Sequence, residues 1–253
     1  MAQSSPMGDM HPGAAGWAKR GVAAALRVLL PERCAACGAL IRGEGGALCP
    51  ACFGGLKFIQ GQVCNRCGWP EPADGECRRC KPGGPIRRRR FALVYADAAA
   101  GLVQRLKYAD RPDLAPRLAG WMARGGAELL SDADLLTPVP IHWSRLLKRQ
   151  FNQSAELTRH LSRLSGVPWD AQALHRTRAT PPQARLASTA QRRKNVQAAF
   201  RPRVGLDLGG RTVLLIDDVL TTGATAEACA AELRRAGAGA VDLLTIAAAD
   251  LTP

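Results

Sequence analysis

The chain has 253 residues, enough for one sizeable domain and a small companion. Its 35 Lys and Arg against 21 Asp and Glu leave a formal net charge of +14, a balance that favours phosphate-bearing partners such as nucleotides, sugar phosphates or nucleic acid. The longest early apolar run, residues 21–31, is broken by Arg27 and too short to cross a bilayer, which excludes a membrane-spanning class at that point.

Residues 1–16 are rich in Gly, Pro, Ser and Met and read as disordered. Residues 17–32 read as an amphipathic helix with a basic flank, Lys19 and Arg20. No small-residue cleavage site separates it from the cysteines that follow, so it is not read as a signal peptide and the cytoplasm is the expected compartment.

Eight of the nine cysteines fall in four C-x-x-C pairs: Cys34/Cys37, Cys49/Cys52, Cys64/Cys67 and Cys77/Cys80. Each such turn aims two thiolates at one tetrahedral ion, and Gly38 and Gly68 follow the first and third pairs. A disulfide framework fits poorly with the cytosolic α/β pattern downstream. The expectation is two structural zinc ions. Sequential pairing gives Cys34, Cys37, Cys49 and Cys52 to one ion and Cys64, Cys67, Cys77 and Cys80 to the other, with short loops and little closure entropy. An interleaved cross-brace arrangement, costlier in closure entropy, is also allowed by the spacing. The region 17–80 thus reads as a helix plus a zinc-dependent module, too poor in large aliphatics to hold a core without metal. The ninth cysteine, Cys229, falls on an Ala-rich helical stretch and reads as a small core residue.

Residues 81–90, KPGGPIRRRR, read as a Pro/Gly linker ending in four solvated arginines, with contact to phosphates as the functional alternative. From Phe91 to the C-terminus the pattern changes. FALVYA (91–96), LLTPVP (135–140), TVLLID (212–217) and AVDLLTIAAA (240–249) read as strands. AGLVQRLKYA, LAPRLAGWMARGGAELL, NQSAELTRHLSRLSG and TAEACAAELRRAGA read as helices, the third capped by Asn152 and stopped at Gly166. Alternation of this kind implies an α/β fold, a mostly parallel sheet with helices on both faces.

The stretch VLLIDDVLTTGAT, residues 213–225, carries the chemistry. Ligands of open α/β sheets bind beyond the carboxyl ends of the strands, where Asp217 and Asp218 fall. The turn Thr221, Thr222, Gly223, Ala224, Thr225 then opens a helix. Its backbone N–H groups, hydroxyls and helix dipole suit a phosphate monoester. The two carboxylates suit a vicinal diol and a divalent cation. A ribose 5-phosphate derivative has all three features.

This stretch resembles the phosphoribosyl pyrophosphate (PRPP) motif of type I phosphoribosyltransferases. The resemblance implies that residues 221–225 hold the 5-phosphate and that Asp217 and Asp218 hold the ribose 2- and 3-hydroxyls. Residues 106–119, 138–161 and 176–200, together with the cysteine pairs, resemble the ComF family. That resemblance implies a double zinc ribbon ahead of a phosphoribosyltransferase-like domain over 91–253. It also implies an association with natural competence, and with it single-stranded DNA and a competence helicase or translocase as partners. In this fold Arg145 and Arg149, after the LLTPV strand, fall where pyrophosphate is held, and Lys107 is a further candidate for PRPP. Magnesium would accompany PRPP. The implied activity is transfer of a phosphoribosyl group to an unassigned acceptor. The alternative is a non-catalytic scaffold for DNA or a competence partner. Thr221 stands where some enzymes of this fold carry a carboxylate, and Thr is no general base near neutral pH. His142, His160 and His175 form no constellation in the sequence, and the five tryptophans form no stacking stripe.

Overall fold

The computed structural model describes residues 33–41, 47–70, 77, 79–80, 83–108, 111–144, 146, 151–179, 189–196 and 198–249. The disorder expected for 1–16 and the helix expected for 17–32 lie outside these residues, as do Arg145 and Arg149.

Four strands form one parallel sheet: β1 (Arg89–Val94), β2 (Leu135–Pro138), β5 (Thr212–Leu220) and β6 (Ala240–Ala248), in the order β1-β6-β5-β2. A short antiparallel pair, β3 (Leu174–Arg176) with β4 (Phe200–Pro202), stands apart from it. Alternation along β5 explains the two-sided burial. Leu214 and Ile216 enter one apolar cluster with Leu102, Leu118, Met122 and Leu157. Val213 and Leu215 enter the other with Cys229, Leu233 and Phe200. The first cluster is built with α2 (Asp97–Tyr108), α3 (Ala115–Gly125), α4 (Ala127–Ser131) and α5 (Gln153–Ser165), α1 being the short Pro50–Gly54 helix of the cysteine region. The second is built with α6 (Thr189–Val196), α7 (Ala224–Arg235) and the β3–β4 pair. Cys229 is fully buried, as its Ala-rich context implied.

Several boundaries differ from the sequence reading, each for a local reason. The run expected as one helix from Leu114 to Leu130 is a 3-10 turn (Pro112–Leu114) followed by α3 and α4. The break is at Gly125 and Gly126, where a Cβ on Gly126 would stand 2.6 Å from Leu244 Cδ1 of the sheet. The α5 boundaries are as expected: Asn152 accepts from Ser154 N–H, and Gly166 takes a left-handed φ of 77°. β5 runs three residues beyond Asp217, so both acids lie within the strand and not in a loop after it.

The largest correction concerns the arginine run. Arg89 and Arg90 are strand residues of β1. Arg87 and Arg88 both bond the carboxylate of Asp242, which is completely buried on β6. Arg90 is buried and pairs with Glu128. Strand formation brings these side chains over acids that lie far away in the sequence, so the four arginines are internal ties and not a solvated tail.

The cysteine region is fastened to the sheet rather than strung ahead of it. Phe58 bridges antiparallel to Leu93, while Ile59 N–H donates to Ala92 O and Val94 N–H donates to Lys57 O. The segment therefore covers the exposed edge of β1. Its Ala35 and Leu56 join the first apolar cluster. Phe58 stacks edge-on against Trp121 at 5.3 Å, and Trp69 meets Phe91 at 4.9 Å. Gly68 has φ +75°, and a Cβ there would fall 2.4 Å from Arg89 O, so only glycine lets the knuckle approach the strand this closely.

Candidate functional sites: two cysteine clusters and a phosphate turn

The eight paired cysteines gather into two groups. Cys34, Cys37, Cys49 and Cys52 form one, and Cys64, Cys67, Cys77 and Cys80 the other, with the sulfurs of each group within 4.8 Å of one another. The sequential pairing is the one found. Cys37 and Cys49 sulfurs are 3.9 Å apart, Cys64 and Cys80 3.4 Å, and Cys67 and Cys77 3.4 Å. A tetrahedral zinc with bonds of about 2.3 Å sets sulfurs about 3.8 Å apart, whereas a disulfide needs about 2.05 Å. The donor set therefore fits two structural zinc ions, which would draw each group into a closed site of four thiolates.

Backbone geometry supports the thiolates. Ala36 N–H and Cys49 N–H point at Cys34 Sγ from 3.4 and 3.3 Å. Burial works against charge on Cys34, but the amides of Cys37, Cys49 and Ala36 prevail and draw it down to about 6. Cys64 is likewise drawn down to about 7 against its burial, by the amides of Cys67 and Arg66. Each group thus holds one thiol ready to ionise, the first requirement of a metal-thiolate site. Among the described residues these are the groups that bring three or more ligand-type side chains together.

The second site forms at the carboxyl end of β5. Neighbouring residues of a strand point to opposite faces, so the two acids take different partners. Ser154 Oγ, at the start of α5, donates to Asp217 Oδ1 at 3.1 Å, and Asp218 N–H donates to the same oxygen at 2.9 Å. Burial, and next the charge of Asp218, push Asp217 up to about 7. Lys107, in the last turn of α2, places Nζ 2.9 Å from Asp218 Oδ2. Lys107 is therefore brought to the acids. The sequence reading missed Ser154: a serine in a helix's first turn carries no signal of its own until the fold sets that helix beside β5.

Beyond the acids the chain turns through Thr221 and Thr222 into Gly223, which has φ 78° and is the N-cap of the twelve-residue α7. A Cβ on Gly223 would meet Leu220 Cδ1 at 3.6 Å and Glu227 Oε1 at 3.7 Å, ordinary contact distances. The left-handed conformation, more than lack of room for a Cβ, is what calls for glycine here. Ala224 and Thr225 follow as the first residues of α7, at the positive end of its dipole.

The segment from β2 to α5 frames the other side. Val139 N–H bonds Ile216 O at 2.8 Å, and Asn152 Nδ2 bonds Val139 O at 3.2 Å. His142 is buried with Nδ1 2.8 Å from Ser144 Oγ. It braces this segment. Of the basic residues at and beyond the end of β3, Arg176 lies over the Phe200 ring at 5.2 Å and Arg178 bonds Asn195 O at 3.1 Å. No helix of the described residues is long and apolar enough to cross a membrane.

Comparison with known proteins agrees with the cysteine clusters. A model of the double zinc ribbon domain matches residues 25–81. The DNA utilization protein YhgH of Escherichia coli strain K12 is 34% identical over 189 residues, covering 72% of this chain and 82% of that protein. Competence protein F of Haemophilus influenzae is 27% identical over 233 residues, covering 86% and 97%. Among solved structures, the glutamine PRPP amidotransferase of Bacillus subtilis, complexed with ADP and GMP, shares 21% identity at a TM-score of 0.35. That match covers 56% of this chain and 30% of the other, so the chain spans under a third of the amidotransferase. With a double zinc ribbon fused to a parallel α/β sheet and 34% identity across most of a curated relative, the chain belongs to the ComF family.

Proposed function

We propose that the chain binds PRPP or a closely related ribose 5-phosphate ligand at the carboxyl end of β5. The observation that carries this reading is the junction itself. Asp217 and Asp218 stand near the end of the strand, and a left-handed Gly223 opens α7 just beyond. In this reading the amides and hydroxyls of Thr221, Thr222, Gly223, Ala224 and Thr225 hold the 5-phosphate. The carboxylates of Asp217 and Asp218 accept from the ribose hydroxyls, and Ser154 keeps Asp217 aimed. Lys107 exchanges Asp218 for the ligand's pyrophosphate, joined by Arg145 and Arg149. Magnesium, which favours oxygen ligands and phosphates, would arrive with the pyrophosphate. If transfer occurs, the bond from the anomeric carbon to pyrophosphate breaks and a nucleophile bonds to that carbon. The chain's part is to hold the two ends apart and neutralise the leaving group.

Isothermal titration with PRPP and magnesium tests the reading. Micromolar-range binding to the wild type, abolished in Asp218→Ala and Gly223→Val without loss of fold, is the expected result. The valine would be strained at φ 78° and would press its branch on Leu220 and Glu227. Unchanged affinity in both variants contradicts the assignment. Pyrophosphate release across a panel of bases then separates a transferase from a binding protein.

A second reading is favoured by the names of the relatives and by the net charge of +14. In it the chain handles single-stranded DNA, with a cytoplasmic competence translocase as its partner. Weak, sequence-tolerant binding that falls steeply with salt is expected by fluorescence anisotropy. Arg87, Arg88 and Arg90 are committed to acids of the fold, so they are not the source of the salt slope. No binding even at about 20 mM salt, far below the range where such contacts are lost, removes this reading.

A further inference from the structure

Arg89 and Glu227 form a pair whose position gives it a role at the phosphate turn. Glu227 lies in the first turn of α7, and its N–H bonds Gly223 O at 2.8 Å. Its side chain folds back over the turn. Oε1 and Cδ stand 3.7 and 4.0 Å from where a Cβ on Gly223 would be. A carboxylate therefore lies against the backbone that the phosphate needs. Left alone, it would repel that phosphate at close range.

Arg89 is the counter-charge. Its Nη2 lies 3.3 Å from Glu227 Oε1, reaching across from β1. The guanidinium is not saturated by that contact: its Nε is buried with no hydrogen-bond partner among the described residues. The backbone of Arg89 is fixed independently of its side chain. Its N–H bonds Arg66 O at 2.9 Å, and its carbonyl is pressed against Gly68 of the second cysteine group. The same residue thus backs onto one metal knuckle and reaches the phosphate turn.

We propose that Arg89 is a positioning residue for phosphate binding, acting by holding and neutralising Glu227. The inference rests on the phosphate site proposed above. It makes the second ribbon a structural support of the ligand site, because the knuckle fixes the strand from which Arg89 reaches out.

Isothermal titration of the zinc-loaded full chain with ribose 5-phosphate tests it, using wild type, Arg89→Met, Glu227→Gln and the double variant. Met keeps the aliphatic stem, and thermal melts check that each variant is folded. Arg89→Met should weaken binding about five- to tenfold, the range for a partly exposed charge at this separation. Glu227→Gln should bind as well as wild type or better. The double variant should return to the level of Glu227→Gln, a rescue that a merely structural role for Arg89 would not give. Wild-type affinity in Arg89→Met, or a double variant as weak as Arg89→Met, overturns this inference alone. No ribose 5-phosphate binding by wild type overturns the phosphate site and this inference together.

Discussion

Cys67→Ser is expected to lower the melting temperature of the whole chain by about 10 °C or more, in one transition, and to release one of two zinc ions. The reason lies in how the ribbon is attached. Cys67 belongs to the second cysteine group. The neighbouring Gly68 and Arg66 are pinned to Arg89, and Arg90 donates to Cys64 O and Asn65 O. Loss of the metal frees the knuckle, and β1 loses these bonds along its edge. Strand β1 pairs with β6, and β6 with β5, so the disturbance enters the main sheet. Hydrogen exchange should show lost protection in β1 as well as in 63–70. Zinc content measured alongside should fall from two per chain to one. An early separate melt of the ribbon, with β1 still protected, would mean that the two parts fold independently.

Asp242→Asn is expected to destabilise the chain by about 3–5 kcal/mol, the cost of removing one partner from a buried ion pair. The carboxylate takes bonds from both guanidiniums of Arg87 and Arg88 and from Arg88 N–H, and no part of it reaches solvent. Asn can satisfy some of these donors but none of the charge. Burial alone would raise the Asp242 carboxyl, but the bonds from Arg87 and Arg88 outweigh it and hold it below the usual carboxylate range. A folded-state value below the unfolded one gives stability that is present above about pH 3.9 and lost as pH falls through the folded value. Wild type should therefore lose stability below about pH 4 through this group, and Asp242→Asn should lose less. Denaturant titrations at pH 7 and at acid pH check both parts. An effect under about 1 kcal/mol at pH 7, the scale of a surface pair, would show that the cluster is solvated.

What could be read in the sequence follows the range of the interactions. The strands and α7 were legible because β5 and β6 are continuous apolar runs bounded by turn residues, the mark of strands covered on both faces. The cysteine groups and the Asp217–Thr225 junction were legible because each is local. Within each knuckle and along the junction the candidate residues sit within a few positions of one another. The arginine run was misread because its partners, Asp242, Glu128 and Glu227, lie tens to more than a hundred residues away. A run of four arginines has one meaning in isolation and another beside a buried aspartate that only strand pairing brings near. Ser154 on Asp217 was hidden for the same reason. The glycine break between α3 and α4 was ambiguous, because glycine within a helical pattern ends the helix only where a neighbour comes close, here Leu244.

In the proposed site, β5 and the turn into α7 together hold a ribose 5-phosphate group. A crystal structure of the full, zinc-loaded chain with PRPP and magnesium tests it most directly. The 5-phosphate is expected on the backbone amides and hydroxyls of residues 221–225, and the ribose hydroxyls on Asp217 and Asp218. Lys107 should have left Asp218 for the pyrophosphate. A phosphate bound elsewhere, or a turn left empty with the Lys107–Asp218 pair intact at saturating PRPP, would contradict it.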